Sequence, residues 1–292
     1  MNILLIIRKD AFKVEKDILQ ELSQIPKNTY CVKLLDCFSY KRHPCLVLEA
    51  MKENVRDLLG HYGNKGISLE ACRAYAYQLL LSLYYLHSIG VIHADIKPDN
   101  MLVSSTRTCV KLCDFGTAKR RHDPPVPPTY GTLFYRAPEI ILGYSFETQI
   151  DIWSLGVCFV EFFTGKILFS GYTNNHMLYE FMRLKGKIPK KLLKNATYVG
   201  EHFELEQYTF LKSEPDKFSG RDVVRKQTVH HLPDTDLLKD ILIKNQGNAT
   251  MEELQSFKDL VDKMLVYDPS KRITPAQALE HKFFAPLKTK TA

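Results

Sequence analysis

Apolar residues recur with two different periods along this chain, and the change between them divides it. From residue 13 to 25, Val14, Ile18, Leu22 and Ile25 fall at three- and four-residue steps, the stripe of an amphipathic helix, and Pro26 ends it. The next apolar runs are short. "CVKLLDCF" at 31–38 and "PCLVLEAM" at 44–51 read as strands, joined through the polar turn "SYKRH" into a hairpin of a small sheet. Helical spacing returns after Ser68, which suits an N-cap, with Tyr75, Leu79, Leu83 and Leu86 on one face until Gly90 stops the run. Short elements follow at "VIHAD", "NMLV" and "VKLCDF", then helices at 147–163 around Trp153 and at 252–265, and a short last helix from Pro275. The first fifty residues are mixed strand and helix, and the remainder is mainly helical. The pattern predicts an α+β chain in two lobes that meet near "LEAMKEN".

Composition narrows the class. With 292 residues, 45% hydrophobic and 25% charged, the chain can bury the cores of two unequal lobes, which excludes a disordered or fibrous protein. Seven cysteines occur without a C-x-x-C pair, so neither a zinc site nor a disulfide framework is indicated, and a reducing intracellular compartment fits. The opening holds five consecutive apolar residues, Ile3 to Ile7, too few for a signal segment, and no later run reaches membrane-spanning length. A soluble protein without a membrane partner is expected. The net charge of +7 is dispersed except for "KGKIPKKLLK" at 185–194 and a Lys-Thr tail. No aromatic residue interleaves that run, so direct nucleic-acid binding is not expected. It reads as a solvated face, with docking of acidic or phosphorylated partners at Lys190 and Lys191 as the residual alternative. "GHYGNKG" has neither the spacing nor the preceding strand of a dinucleotide fingerprint, and His87 and His93 lack zinc-ligand spacing.

The chemistry concentrates in "HADIKPDN", residues 93–100, where Pro98 keeps the segment out of a helix interior. Asp114 opens "DFG" directly after the strand-like "VKLC", and an irregular stretch ends at "GTLFYRAPE", residues 131–139. Phosphoryl transfer asks for a carboxylate that orients and deprotonates the attacking hydroxyl, and for hard oxygen ligands to magnesium. Asp95 suits the first role and Asn100 and Asp114 the second. Lys97 would offset charge on the transferred group.

In order and spacing, "HADIKPDN", "DFG", "YRAPE", "DIWSLG" and "DPSKRIT" resemble the catalytic lobe of a eukaryotic serine/threonine protein kinase. Arg136 in "YRAPE", the long segment from about 171 to 247 and Ala94 resemble the CMGC group, and within it the pre-mRNA processing factor 4 splicing kinases. The resemblance implies a bilobal kinase domain over 1–292, with a small, partial, β-rich N-lobe at 1–50 and a large, mainly helical C-lobe at 51–292 carrying that group's insert. It implies ATP and magnesium as cofactors and protein substrates, spliceosomal ones among them. A monomer with a nuclear address is implied, a cytoplasmic one being the alternative. Asp95 would be the catalytic base, and Lys97 points to serine and threonine hydroxyls, with Thr132 beside both. Asn100 and Asp114 would hold magnesium. Glu49 and Met51 would hold adenine through their backbone, with Leu102 below the ring. Glu139 should pair with Arg272, Asp151 should anchor the catalytic loop, His93 should pack on Phe115, and Arg136 should supply part of the cation for a phosphate on the activation segment. Cys113 should be buried filler.

The chain also departs from the family pattern. The activating tyrosine of related kinases aligns with Thr129, while tyrosine stands one residue later as Tyr130. No glycine precedes Gly60, and Leu5 stands where the nucleotide-binding lysine is expected, leaving its helix partner, Glu15, exposed or paired elsewhere. Two readings of the start follow: a kinase whose first strands lie upstream, or a catalytically impaired, kinase-like scaffold binding partners through its C-lobe. The uncovered sheet edge predicts a chain that is unstable or aggregates alone.

Overall fold

Antiparallel pairing builds the first lobe. The computed structural model describes residues 3–6, 9–26, 30–213, 227–228 and 235–289. Strand β1 (Ile3–Ile6) pairs with β3 (His43–Leu48), and β2 (Leu34–Tyr40) pairs with the other edge of β3, giving the order β1-β3-β2 with Leu5 opposite Leu46. The predicted hairpin turns through Lys41 and Arg42, both at positive φ (46° and 66°). That two-residue geometry matches the right-handed twist of the strands, although neither residue is a usual turn former.

Helix α1 (Lys9–Ser23) starts earlier than its apolar stripe does. Its buried face is Glu15, Ile18, Leu19 and Leu22, whereas Val14 is exposed. An acid thus holds a position that the hydrophobic pattern assigned to valine. The lobes join where Tyr30 and Val32 exchange backbone hydrogen bonds with Leu112 (2.9 Å each).

The second lobe follows the predicted order. After β4 (Glu53–Asn54) and α2 (Val55–His61), α3 (Leu69–Ser88) begins at Ser68, whose side chain accepts from the Ala71 N–H at 3.2 Å. Strands β5 (Val91–Ile92), β6 (Met101–Val103), β7 (Val110–Leu112) and β8 (Lys119–Arg120) form two small sheets, β4-β6-β7 and β5-β8. Helix α4 (Pro138–Leu142) leads to α5 (Gln149–Thr164), which is buried from Ile150 onward on all sides and forms the axis of the lobe. Then come α6 (Asn174–Lys185), which meets α5 through Phe181 against Trp153, α7 (Lys190–Leu193), α8 (Val199–His202), α9 (Met251–Met264), packed on α5, and α10 (Pro275–Leu279), packed on α3. Residues 214–226 and 229–234 of the 171–247 insert lie outside the described residues.

One buried ion pair ties α4 to the far end of the chain. Arg272 donates to both oxygens of Glu139 (2.6 and 3.0 Å), to the Gln149 carbonyl (2.6 Å) and to the Val266 carbonyl, and it lies over the Trp153 ring. A carboxylate and a guanidinium this deeply buried are tolerable because every strong donor is used.

His202 is a second buried polar group, 5% exposed, and burial pushes its pKa down from 6.5 to about 4. The folded state therefore binds fewer protons than the unfolded state between these values. Stability from the neutral ring is complete above about 6.5 and is lost as pH falls toward 4. Urea midpoints across this range should fall more steeply for the native chain than for His202→Gln, by about 3 kcal/mol at most. Parallel curves would show that His202 does not titrate with folding.

Candidate active site

The loop 93–100 hangs from one buried carboxylate. Asp151, in the first turn of α5, accepts the backbone N–H groups of His93 and Ala94 and a ring nitrogen of His87, each at 2.9 Å. The N-terminal end of a helix favours an anion there. Ala94 consequently takes a left-handed φ of 64°. His93 is fully buried against Phe115, with ring centroids 5.3 Å apart, and its Nε2 lies 3.0 Å from the Cys113 carbonyl while Nδ1 accepts from the Asp95 N–H. This network sets the tautomer, with the proton on Nε2, and makes the histidine a spacer between the loop and the strand end. Burial holds the Cys113 thiol well above its ordinary value, so it is protonated.

Asp95, Lys97, Asn100 and Thr132 converge. Lys97 Nζ donates to Asp95 Oδ2 at 2.6 Å and to Thr132 Oγ1 at 3.1 Å. Thr132 donates to Asp95 Oδ1 through its N–H (3.0 Å) and hydroxyl (2.6 Å). The Asn100 amide nitrogen donates to the Asp95 carbonyl at 2.9 Å. Burial alone would raise the Asp95 pKa, but hydrogen bonds from Lys97 and Thr132 and the Lys97 charge outweigh it, holding the carboxyl below its ordinary range. It is ionised at neutral pH and oriented from both sides.

The Asn100 carbonyl accepts from the Cys113 N–H at 3.0 Å, which brings Asn100 beside the residue before Asp114. Asp114 is exposed, with φ 66°, and among the described residues its carboxylate and the Asn100 side-chain oxygen have no partner. One carboxylate and one amide oxygen are hard donors of the kind magnesium takes, with waters and phosphate oxygens completing its shell. Glu15 is 2% exposed and accepts from the Phe115 N–H at 3.3 Å. Burial, and then the Asp114 charge, push its pKa up to about 7. It is therefore paired elsewhere than with a lysine among the described residues; the Leu5 side chain lies outside them.

The expected adenine groups lie on the lobe connection. Glu49 donates its N–H to the Lys33 carbonyl (3.0 Å), and its carboxylate takes Lys111 (2.6 Å) and the Lys33 N–H (2.8 Å). Among the described residues nothing bonds the Glu49 carbonyl or the Met51 N–H. Leu102 is on β6, half-buried, opposite Asn54 and Lys111.

The activation segment is braced by Arg136, the residue expected from the resemblance to meet a phosphate there. Arg136 donates to the carbonyls of Tyr130 (2.9 Å), Thr129 and Gly131 (2.8 Å each) and to Asn174 Oδ1. Three of these contacts are to backbone oxygens of residues 129–131, the stretch in which the activating residue of related kinases aligns. The Tyr130 hydroxyl donates to the Thr117 carbonyl at 2.6 Å. Gly131 was not singled out from sequence, yet its φ of +70° and approach to Ala94, where a Cβ would lie 2.7 Å from the carbonyl oxygen, make it the contact that seats Thr132 on Asp95. An isolated glycine in an irregular stretch is the signal that marks such an approach.

Two unequal lobes joined at a connection, a loop with its carboxylate held ionised, and a second carboxylate free near a strand end are the parts of a phosphotransferase fold. A protein kinase domain model matches residues 6–284, and the chain belongs to the protein kinase domain family. It is similar to serine/threonine-protein kinase prpf4B of Dictyostelium discoideum, 42% identical over 93% of this chain and 34% of that protein. It is also similar to serine/threonine-protein kinase prp4 of Schizosaccharomyces pombe, 40% identical over 85% of this chain and 52% of that protein. Serine/threonine-protein kinase AFC3 of Arabidopsis thaliana is 31% identical over 94% of this chain and 72% of its own length. The chain thus spans between a third and about half of the first two relatives. All three carry kinase names, and nothing in them favours a non-catalytic scaffold.

Gly131→Ala should lower stability by about 1–3 kcal/mol, since the new Cβ meets both a strained φ and the Ala94 carbonyl. Gly60→Ala, inside α2 with open space around it, should instead be neutral or stabilising by up to about 1 kcal/mol. Urea unfolding distinguishes them, and equal midpoints would show that the Gly131 contact is not tight.

Proposed function

We propose that this chain is the catalytic domain of a serine/threonine protein kinase, transferring the γ-phosphoryl of ATP to protein hydroxyls. The observation that carries this reading is the Asp95 carboxylate, kept ionised by Lys97 and Thr132 beside a free carboxylate and a free amide oxygen. Asp95 orients the substrate hydroxyl and accepts its proton. Its lowered pKa makes it a weak base, so orientation is the larger part of its work. Lys97, already on Asp95 and Thr132, offsets charge on the group in transit. Thr132 shares Asp95 with the incoming hydroxyl and narrows where that hydroxyl can sit.

Asn100 and Asp114 are the residues that would hold magnesium, which when bound neutralises phosphate charge. The Glu49 carbonyl and Met51 N–H would meet the adenine edge, with Leu102 beneath the ring. The division into an N-lobe portion at 1–50 and a C-lobe at 51–292 with its insert at 171–247 belongs to the same reading. Protein substrates follow from the family. A part in pre-mRNA splicing, spliceosomal partners and a nuclear address are supported by resemblance to the processing factor 4 branch. Among the described residues no helix is long and apolar enough to cross a membrane.

The test is transfer of labelled phosphate from ATP to a serine- and threonine-containing peptide mixture in the presence of magnesium. Asp95→Asn keeps the shape and removes the base, so kcat should drop by about 10²-fold or more while the chain stays cooperatively folded and nucleotide affinity stays as in the native chain. Transfer that is equal in the native chain and Asp95→Asn would overturn the assignment.

A further inference from the structure

Arg56, the second residue of α2, reaches three other elements. Its Nη1 pairs with Glu161 of α5, while Nη2 donates to the Tyr135 hydroxyl at 2.5 Å and pairs with Asp99 of the 93–100 loop at 3.2 Å. The Tyr135 hydroxyl donates in turn to the other Glu161 oxygen at 2.7 Å. Side-chain exposure is 1% for Glu161, 35% for Arg56 and 46% for Asp99, so the knot runs from the core to the surface. Asp99 follows Asp95 by four positions on one loop, and Tyr135 follows Thr132 by three. Through Asp99 the knot is tied to the same loop that carries Asp95.

Two carboxylates here meet one cation. Without Arg56, Glu161 would be a buried anion holding a single neutral hydrogen bond, with Asp99 at the mouth. Such a site is costly empty and attracts any guanidinium or ammonium that can reach it. Arginine suits the place better than lysine, because its planar fork can engage Glu161, Tyr135 and Asp99 at once.

We propose that Arg56 is a specificity-determining residue: from within the chain it fills an acidic socket beside the catalytic loop and denies that socket to a basic side chain of the protein substrate. This rests on the reading of Asp95 as the group that receives the substrate hydroxyl. Substrates are then selected without a basic residue where they pass the socket, and they meet the outer face of a guanidinium there instead.

The experiment compares the full chain with Arg56→Ala, using two probes that need no nucleotide. Methylguanidinium at millimolar concentration should raise the melting temperature of Arg56→Ala and leave the native chain unchanged. In fluorescence anisotropy, Arg56→Ala should bind an arginine-containing peptide about tenfold more tightly than its citrulline twin, while the native chain discriminates by less than about twofold. Should Arg56→Ala not fold, Arg56→Gln carries the same readouts. Adding Glu161→Gln must abolish the methylguanidinium response; a response that survives, an absent response, or equal discrimination by variant and native chain would overturn the proposal. Failure of phosphate transfer in the native chain counts against the Asp95 reading alone.

Discussion

Asp151 is the constraint on which the site depends. A carboxylate that is 1% exposed would be expensive in this interior without partners, and it finds them in two loop N–H groups and one histidine. Satisfying that charge fixes the loop's first two backbone units. The positive φ at Ala94, the carbonyl that receives Gly131 and the direction of Asp95 all follow from them. The chemistry at the surface is therefore positioned by an electrostatic requirement inside the lobe, and α5 serves because it is buried enough to make that requirement strict.

Much of this was legible in the residues. Helical spacing found α3 and α5 to within about two positions, because both are long and strongly periodic. Asp95, Asn100 and Asp114 were legible because a loop rich in carboxylates, bounded by proline and a strand, has few structural uses. The pairs Glu139–Arg272 and Asp151 with the loop were expected from resemblance alone, and the geometry has both.

Other features were not legible, for physical reasons. Val14 and Glu15 exchange places on α1 because burial depends on what the helix meets, Phe115 and Asp114, and not on periodicity. The resemblance singled out Arg136 for its charge but did not show the three carbonyls of residues 129–131 that it also holds. Arg56 was passed over because its partners are 43, 79 and 105 residues away, beyond any local pattern.

The Glu139–Arg272 pair has a consequence for how the protein is made. Its partners are 133 residues apart, so during synthesis α4 and the segment before it wait, with a buried acid unanswered, until Arg272 has left the ribosome. Ordering of the catalytic lobe is in this respect deferred until that distant segment has been made. A nascent chain stalled before residue 272 holds the residues of the active site without the cation that closes the lobe beneath it.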